Sequence, residues 1–375
     1  MASEEVLDFG KLLAPISADK PTGVDPRSET TSDSLYHKTR DARRAARDAE
    51  RPGRADDAEL PDWKPVRQLG IKILTEQAKD LEIAAYLLEA LLRLEQFAGL
   101  RDGFRLVREI VEKFWDGLYP PPDQDPPPDE HPLANRIAPL VSLNGEESEG
   151  ALIAPIARVP ITAATSVGPP FSLAHYNEGT SLKRITDPKV LEKKLAAGAV
   201  SLEMFKRAVA ETPASFYRQL VEDLTACTTE FGKLGEALKK RCNGHEPPTS
   251  NIRNALTNCL DLVKQEAGDK WKPPQEPSKD GPKKDGAPGP NPAASPAETT
   301  VAVLQGREQA LENLRKVADF FRRTEPHSPV SYALEQVERW ARMALPELWT
   351  ELIADEAPRK NVFKQVGIRP EAPKK

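Results

Sequence analysis

The chain has 375 residues, which is enough for two or three domains. Charged residues make up 30% of it and apolar residues 39%, a balance typical of a globular protein with polar stretches. The formal net charge of −5 argues against nucleic acid as the main partner, and no run approaches the roughly eighteen apolar residues that a membrane-spanning helix needs.

The cysteines and the N-terminal residues indicate the compartment. Three cysteines, Cys227, Cys242 and Cys259, cannot all pair within one chain. Ser3-Glu4-Glu5 stands where a secretory signal would carry basic residues. We therefore expect a reducing, cytoplasmic location, in which disulfides are rare.

A turn-rich loop and an exposed helix are predicted near the N-terminus. Residues 21–26 are rich in turn-forming residues, and residues 32–50 are predicted to be helical and mostly exposed. The arginine-rich stretch 40–54 is interleaved with acidic residues, which favours a solvated helix of mixed charge over a nucleic-acid-binding arm. Asp62 is a predicted cap for a further helix, whose apolar residues are Val66, Leu69, Ile73 and Leu74.

The most apolar segment of the chain begins after Asp80, whose side chain is a predicted helix cap. Residues 81–94 leave few polar positions, so this helix is expected to be buried on several sides. Gly99 is expected to end it, and a second helix with one apolar stripe then runs to Leu118. Because the connection is short, the two helices are predicted to form an antiparallel pair.

An extended segment and a helical hairpin are predicted in the middle of the chain. Residues 151–162 are expected to form two short strands or an extended edge, whose prolines exclude a central strand. Thr212 is a predicted cap for a long helix and Ser250 for the next. The long helix carries a heptad seam, formed by Leu220, Leu224, Cys227, Phe231, Leu234 and Leu238. The seam is open to two interpretations, internal packing of the hairpin or a subunit contact.

The C-terminal part is predicted to be a small helical module on a tether. Residues 268–300 are rich in proline, glycine and charged residues, which predicts a disordered, extended spacer. Ser328 is a predicted helix cap, and Pro329 fits the first helical position. An apolar stripe follows on that helix: Val330, Ala333, Leu334, Val337, Trp340 and Ala341. Pro346 begins another short helix.

No signature of catalysis is found in the sequence. There is no glycine-rich phosphate loop, no dinucleotide fingerprint and no Gly-x-Ser-x-Gly motif. Cys242 and His245 lack the second ligand pair that a zinc site needs. His327 is followed by Ser328, but that hydroxyl is expected to cap a helix. We therefore predict no catalytic or metal-binding residues and no cofactor.

The aromatic residues of the C-terminal module are the predicted interaction residues. Phe320 and Phe321 are adjacent, so they point about 100° apart on a helix. Trp340 and Trp349 lie in a module so small that oligomerisation is a common source of stability. Packing inside the module's own core is the alternative role for both tryptophans. These four residues are the candidate oligomer or partner interface.

Two groups of motifs stand out in the sequence. The C-terminal group comprises residues 310–314, Phe320-Phe321-Arg322-Arg323-Thr324-Glu325-Pro326-His327-Ser328-Pro329, and Trp340-Ala341-Arg342-Met343 with Leu348. The N-terminal group comprises Leu12-Leu13-Ala14-Pro15-Ile16-Ser17, Lys79-Asp80-Leu81, residues 98–103, Phe114-Trp115-Asp116-Gly117-Leu118-Tyr119-Pro120, and residues 154–162 ahead of Phe171-Ser172-Leu173, and it covers roughly residues 5–175. Both groups resemble one known family, the TssA (ImpA-type) proteins of bacterial type VI secretion systems.

Together with the predicted helices, the resemblance implies an all-α protein of several domains. An ImpA-type N-terminal domain is expected over residues 1–175 and a helical middle region with the heptad hairpin over 176–267. The Pro-rich disordered linker is expected over 268–300 and a small helical oligomerisation module over 301–375.

The resemblance further implies a non-enzymatic component of a type VI secretion system. Such a protein forms a ring-like homo-oligomer and organises baseplate, sheath and tube proteins through multivalent contacts. It is expected in the cytoplasm, recruited to the apparatus at the inner membrane, with no nucleic acid partner and no direct membrane insertion. One alternative is a cytoplasmic adaptor or chaperone-like protein that uses the middle region without forming a ring. A second is an enzyme with a polar pocket within residues 1–175.

Overall fold

The computed structural model describes residues 3–51, 60–127, 131–146, 148–273, 307–324 and 329–353, together with Asp355, Arg359 and Phe363. The chain divides into two compact units, Met1–Lys279 and Asp280–Lys375. Across the described ranges the regular structure is helical, and extended pairing is limited to isolated bridges. The prediction of an all-α, multi-domain protein is confirmed. None of the helices in these ranges combines the length and apolar character that crossing a bilayer requires.

Eleven α-helices form the described part of the first unit. They are α1 (Phe9–Leu12), α2 (Leu35–Ala49), α3 (Lys64–Glu76), α4 (Leu81–Phe114), α5 (Ala134–Asn144), α6 (Ile153–Arg158), α7 (Leu173–Leu182), α8 (Pro188–Ala196), α9 (Leu202–Glu211), α10 (Ala214–Cys242) and α11 (Ser250–Ala267). The described part of the second unit contains α12 (Arg307–Thr324), α13 (Val330–Arg342) and α14 (Leu345–Leu352).

Helix α4 is a hairpin of two helical arms. Its 34 residues are interrupted at Gln96, which has φ 55° and ψ −136°. The backbone N–H of Leu81 at one end donates to the carbonyl of Tyr119, just beyond the other end, at 2.8 Å. A continuous helix of this length would separate its ends by about 50 Å, so the chain must reverse. The predicted antiparallel pair is confirmed, with the reversal at Gln96 rather than at Gly99.

Glycines allow the two arms of α4 to approach each other. A Cβ atom at Gly99 would lie 2.3 Å from the carbonyl oxygen of Leu91, and one at Gly103 would lie 2.9 Å from Cγ of Leu88. Both distances are too short for unstrained contact. The sequence therefore places glycine where the reversed chain returns along its own first arm.

The heptad seam of α10 lies inside the first unit. All six of its residues are buried, and α10 packs against α4 more extensively than any other two described helices pack together. The rings of Phe104 and Phe231 are 4.8 Å apart, and the Cys227 thiol donates to the carbonyl of Phe97 at 2.9 Å. Internal packing is therefore the correct interpretation of the seam. The sequence boundary near residue 175 falls within this compact unit.

Four local predictions are wrong. Ser250 does not cap α11, because it is already the first helical residue and Thr249 precedes the helix. Ile153–Arg158 is helical rather than extended, because Pro155 occupies the first turn, where its missing N–H costs no hydrogen bond. Thr212 does not cap α10, since its hydroxyl donates to the carbonyl of Ala208 at 2.8 Å. Residues Gly268–Trp271, assigned to the spacer, form a 3₁₀ helix.

The second unit keeps the predicted order of helices. Pro329 directly precedes α13 and Pro346 lies in the first turn of α14, as expected from the sequence. Helices α12 and α13 contact each other, and Arg322 forms an ion pair with Glu335. Ser328 and His327 lie outside the described residues, as does the spacer after Pro273.

Substituting Gly99 tests the close approach within α4. We expect Gly99→Ala to lower the free energy of unfolding by about 2–3 kcal/mol, because the new methyl group overlaps a backbone carbonyl. Gly232→Ala is the matched control: it lies in α10 with nothing within 4 Å of an added Cβ, and should raise stability by about 0.5–1 kcal/mol. Urea unfolding followed by circular dichroism gives both values. Equal effects of the two substitutions would contradict this packing.

Candidate functional site

The four predicted interface residues lie in the helices of the second unit. Phe320 is 54% exposed, and its ring meets Phe321 edge-on at 5.7 Å. Trp340 is partly buried and its indole N–H donates to Glu351 at 3.0 Å. The indole N–H of Trp349 is enclosed and has no acceptor among the described residues. Their role in an interface stays a prediction.

In the first unit, two segments of the N-terminal motif group, residues 79–81 and 114–120, meet the loop at Thr22. The backbone N–H of Lys79 donates to the carbonyl of Thr22 at 2.9 Å, and its carbonyl accepts from the N–H of Tyr119 at 3.0 Å. Gly117 lies so close that an added Cβ would be 2.6 Å from the Thr22 hydroxyl oxygen. Motifs that are far apart in sequence therefore form one structural site.

The ammonium group of Lys79 is held in the interior. It is fully buried and donates to the carbonyls of Leu12 and Leu74, both at 2.7 Å. It also lies 5.3 Å from the centre of the Phe114 ring, which is within the range of a cation–π interaction. Burial disfavours the charged form and lowers the pKa of Lys79 to about 8. This side chain ties α1 to the end of α3.

The neighbouring residue, Asp80, caps α4 and anchors an ion pair. Its carboxylate accepts from the N–H of Ile83 at 2.9 Å, which confirms the predicted cap, and it is fully buried. Arg27 donates to Asp80 at 2.7 Å and to Glu82 at 2.5 Å. Burial raises the pKa of Asp80, and the adjacent guanidinium opposes that rise. Arg27 thus compensates a carboxylate that has no access to solvent.

Two tyrosines complete this network at Glu82. The hydroxyl of Tyr86 donates to Glu82 at 2.5 Å and that of Tyr36 at 3.0 Å. Burial alone would raise the pKa of Glu82, but the hydrogen bonds from Tyr86 and Arg27 outweigh it, and the pKa is lowered. Burial raises the pKa of Tyr86. Both pKa values are thus shifted away from neutral pH, whereas the pKa of a general acid or base would lie near it.

A cavity of about 730 Å³ adjoins this network, and Arg27, Glu82 and Glu89 are among the residues that line it. Sequence analysis did not identify this group of titratable residues. Glu89 is fully buried and accepts from Arg43 at 2.8 Å. Ion-pair networks with structural roles also shift pKa values, so the shifts here do not by themselves indicate catalysis.

The three cysteines and the pair His131 and His245 are not among the residues of this network. Burial raises the pKa of the Cys242 thiol to about 11 and that of Cys259 to about 12. The ring of His245 stacks on His131 at 3.7 Å. Within the described ranges, no group of three or more histidine, cysteine or acidic residues has the arrangement of a metal site.

Comparison with known proteins connects this architecture with a family. Residues 13–145 match the family described as ImpA, N-terminal, type VI secretion system, and this range contains the crossing at Lys79. Over 353 residues the chain is 29% identical to the type VI secretion system component TssA1 of Pseudomonas aeruginosa, covering 93% of this chain and 96% of that protein. The chain is thus similar to a TssA protein over most of its length, and its residues 13–145 carry the ImpA-type region.

The fold of this chain also matches a solved structure. That structure is the N-terminal domain, including the conserved ImpA_N region, of the TssA component of the type VI secretion system from Burkholderia cenocepacia. The TM-score is 0.57 with 25% sequence identity, and the match covers 70% of this chain and 94% of that chain. The likeness thus extends well beyond the segment matched by the ImpA family.

The pH dependence of stability tests the burial of Lys79. Its pKa is about 8 in the folded chain and 10.5 in its unperturbed state, so between these values the unfolded chain binds more protons. The contribution of Lys79 to the free energy of unfolding should therefore rise by about 3 kcal/mol as the pH increases from 7.5 to 10.5. We expect the difference between the wild type and Lys79→Met to show this rise in urea unfolding. Parallel pH profiles would contradict the burial of Lys79.

Removal of Arg27 tests the buried ion pair. Arg27→Met leaves Asp80 without its compensating charge, and we expect a loss of about 3 kcal/mol in the free energy of unfolding. Arg51→Met is the control, because the Arg51–Asp48 pair is exposed and should contribute less than about 1 kcal/mol. Thermal and urea unfolding give both values. Similar small losses would mean that Asp80 does not depend on Arg27.

Proposed function

We propose that this TssA-like chain is a non-enzymatic component of a type VI secretion system. It oligomerises through its second unit and organises baseplate, sheath and tube proteins through multivalent contacts. The observation that carries the proposal is the similarity to TssA1 of Pseudomonas aeruginosa, which spans 93% of this chain and both of its units. The proposed location is the cytoplasm, with recruitment to the secretion apparatus at the inner membrane.

The distribution of exposed apolar side chains supports oligomerisation through the second unit. Among the described residues, eleven large apolar side chains are exposed, and six of them belong to this unit, although it contributes far fewer described residues than the first. They are Val317, Phe320, Val330, Tyr332, Val337 and Leu352. A small helical module with this much apolar surface commonly gains stability from association with further copies.

The first unit is suited to act as a tethered binding module. Its heptad seam is used internally, so the unit does not need a partner to bury it. Residues 274–300 separate it in sequence from α12 and have the composition of a spacer. An oligomer of the second unit would then gather many copies of the first, which raises their effective concentration for a shared partner.

The proposal of a non-enzymatic role rests on how the charged groups of the first unit are used. Arg27, Asp80 and Glu82 hold one another and the start of α4. The adaptor hypothesis, which needs the heptad seam as a binding surface, has less support because that seam is buried.

Truncation tests where the chain assembles. We expect the full-length chain to form a large oligomer in size-exclusion chromatography with multi-angle light scattering. A truncated chain ending at Pro273 should form only small species, while its circular dichroism stays helical, because the first unit contains its own core. An unchanged assembly state after truncation would place the contacts in the first unit and refute this part of the proposal.

A single substitution makes the same test without removing a unit. Phe320→Glu places a charge on an exposed aromatic position of α12 and should shift the oligomer toward small species. Val190→Glu changes a similarly exposed apolar residue on α8 of the first unit, and should leave the assembly unchanged. If both variants assemble like the wild type, the Phe320 face is not part of the interface.

A further inference from the structure

One face of α2 is unusually rich in arginine. Most of these arginines are three or four residues from another, which brings them to the same side of the helix. These residues are Arg40, Arg43, Arg44 and Arg47, and Arg51 follows just after the end of the helix. They line one wall of a cleft of about 550 Å³. Helices α4 and α6 contribute Arg93 and Arg158 to the same cleft.

The cleft has more positive charge than its own carboxylates neutralise. Seven arginines line it, against three carboxylates, in a chain whose net charge is −5. One of the three, Glu50, is already engaged by Arg93 at 2.6 Å and by the indole N–H of Trp63 at 2.7 Å. Another, Asp48, pairs with Arg51 at 3.2 Å. An anion entering the cleft therefore meets a local excess of positive charge.

Three of the arginines take no part in these pairs. Among the ion pairs of the described residues, none involves Arg44, Arg47 or Arg158. Arg44 and Arg47 come from α2, whereas Arg158 ends α6 and lines the other side of the cleft. Free guanidinium groups on two walls can bind one carboxylate-bearing segment from both sides.

Arg40 provides a second and independent observation. Its Nε–H is enclosed and has no acceptor among the described residues, and its nearest carboxylate, on Asp41, is 3.9 Å away. An enclosed donor without an acceptor is energetically unfavourable, because it has lost its water and gained no partner. An acceptor brought by a ligand would satisfy it.

We propose that this arginine cleft binds an acidic segment of a partner protein, with Arg44, Arg47 and Arg158 pairing with its carboxylates. The apolar part of the lining, which includes Tyr86 and Pro155, fits the aliphatic portions of such a segment. The carboxylates of a peptide are spaced along it, so each can face an arginine without lying next to one of the three acidic residues of the cleft. A polyphosphate chain carries a charge on every unit and has no such gaps. The acidic chain as a whole also repels nucleic acid at long range.

The inference concerns the first unit alone and does not depend on oligomerisation. The cleft is formed by α2, α4 and α6, all of which precede residue 273. A failure of the truncation experiment would leave the cleft proposal standing, and a failure of peptide binding would leave the assembly proposal standing.

Fluorescence anisotropy with a labelled peptide of alternating glutamate and alanine tests the cleft. We expect the full-length chain to bind this peptide at low salt, more weakly at high salt, and not to bind the matched glutamine–alanine peptide. Arg44→Glu combined with Arg47→Glu should weaken binding by at least about tenfold, because two charge-assisted contacts become repulsive. Arg158→Glu, on the other wall, should weaken it as well and serves as the second variant.

Lys193→Glu combined with Lys194→Glu is the matched control. This pair lies exposed on α8, outside the cleft, and changes the net charge of the chain by the same amount. Its peptide affinity should stay within about twofold of the wild type, because distant exposed charges are screened. Equal losses in the control and the cleft variants, or unchanged binding in all of them, would overturn the proposal.

The same assay with duplex DNA and with phosphatidylglycerol vesicles addresses other anions. Either one binding more tightly than the peptide, with a loss in the Arg44/Arg47 variant, would overturn the assignment to an acidic protein segment. Preference for the peptide, with loss in both cleft variants, is the result that we expect.

Discussion

The crossing of three chain segments at Lys79 is the contact on which the first unit depends. The Thr22 loop, the strand-like connection before α4 and the turn after it are joined through the backbone of this single residue. Its ammonium then reaches the carbonyls of Leu12 and Leu74. A buried cation is unfavourable unless it is well satisfied, so the surrounding chain must bring carbonyl oxygens to it. In this chain the requirement is met by segments that are far apart in sequence.

The same region shows why long-range polar contacts escape sequence analysis. Arg27 and Asp80 are 53 positions apart, and no periodic pattern connects them. Apolar periodicity, in contrast, correctly predicted the two helical arms of α4 and located the seam of α10, because burial imposes a regular spacing along a helix. Whether that seam packs internally was left open by the spacing alone. Asp80 was predicted as a cap because capping is a local interaction.

Predictions from the sequence were wrong where one residue type is compatible with two local structures. Pro155 and Pro160 suggested an extended edge. Proline is equally compatible with the first turn of a helix, and Pro155 has that position in the helix Ile153–Arg158. The arginines of α2 were predicted to be solvated. Their helical spacing was visible, but the opposing Arg158 was not, because α6 itself was not predicted. The interface roles proposed for Phe320 and Trp340 concern contacts between chains, which a single sequence does not encode directly.

Because α4 and α10 share a core, the segment defined by sequence similarity and the compact unit defined by packing have different extents. The segment that carries the ImpA similarity, residues 13–145, contains α4 but ends before α10 begins. Excised on its own, that segment would expose the face of α4 that Phe231 and its neighbours cover. The segment that the family match delimits is thus shorter than the compact unit to whose core it contributes.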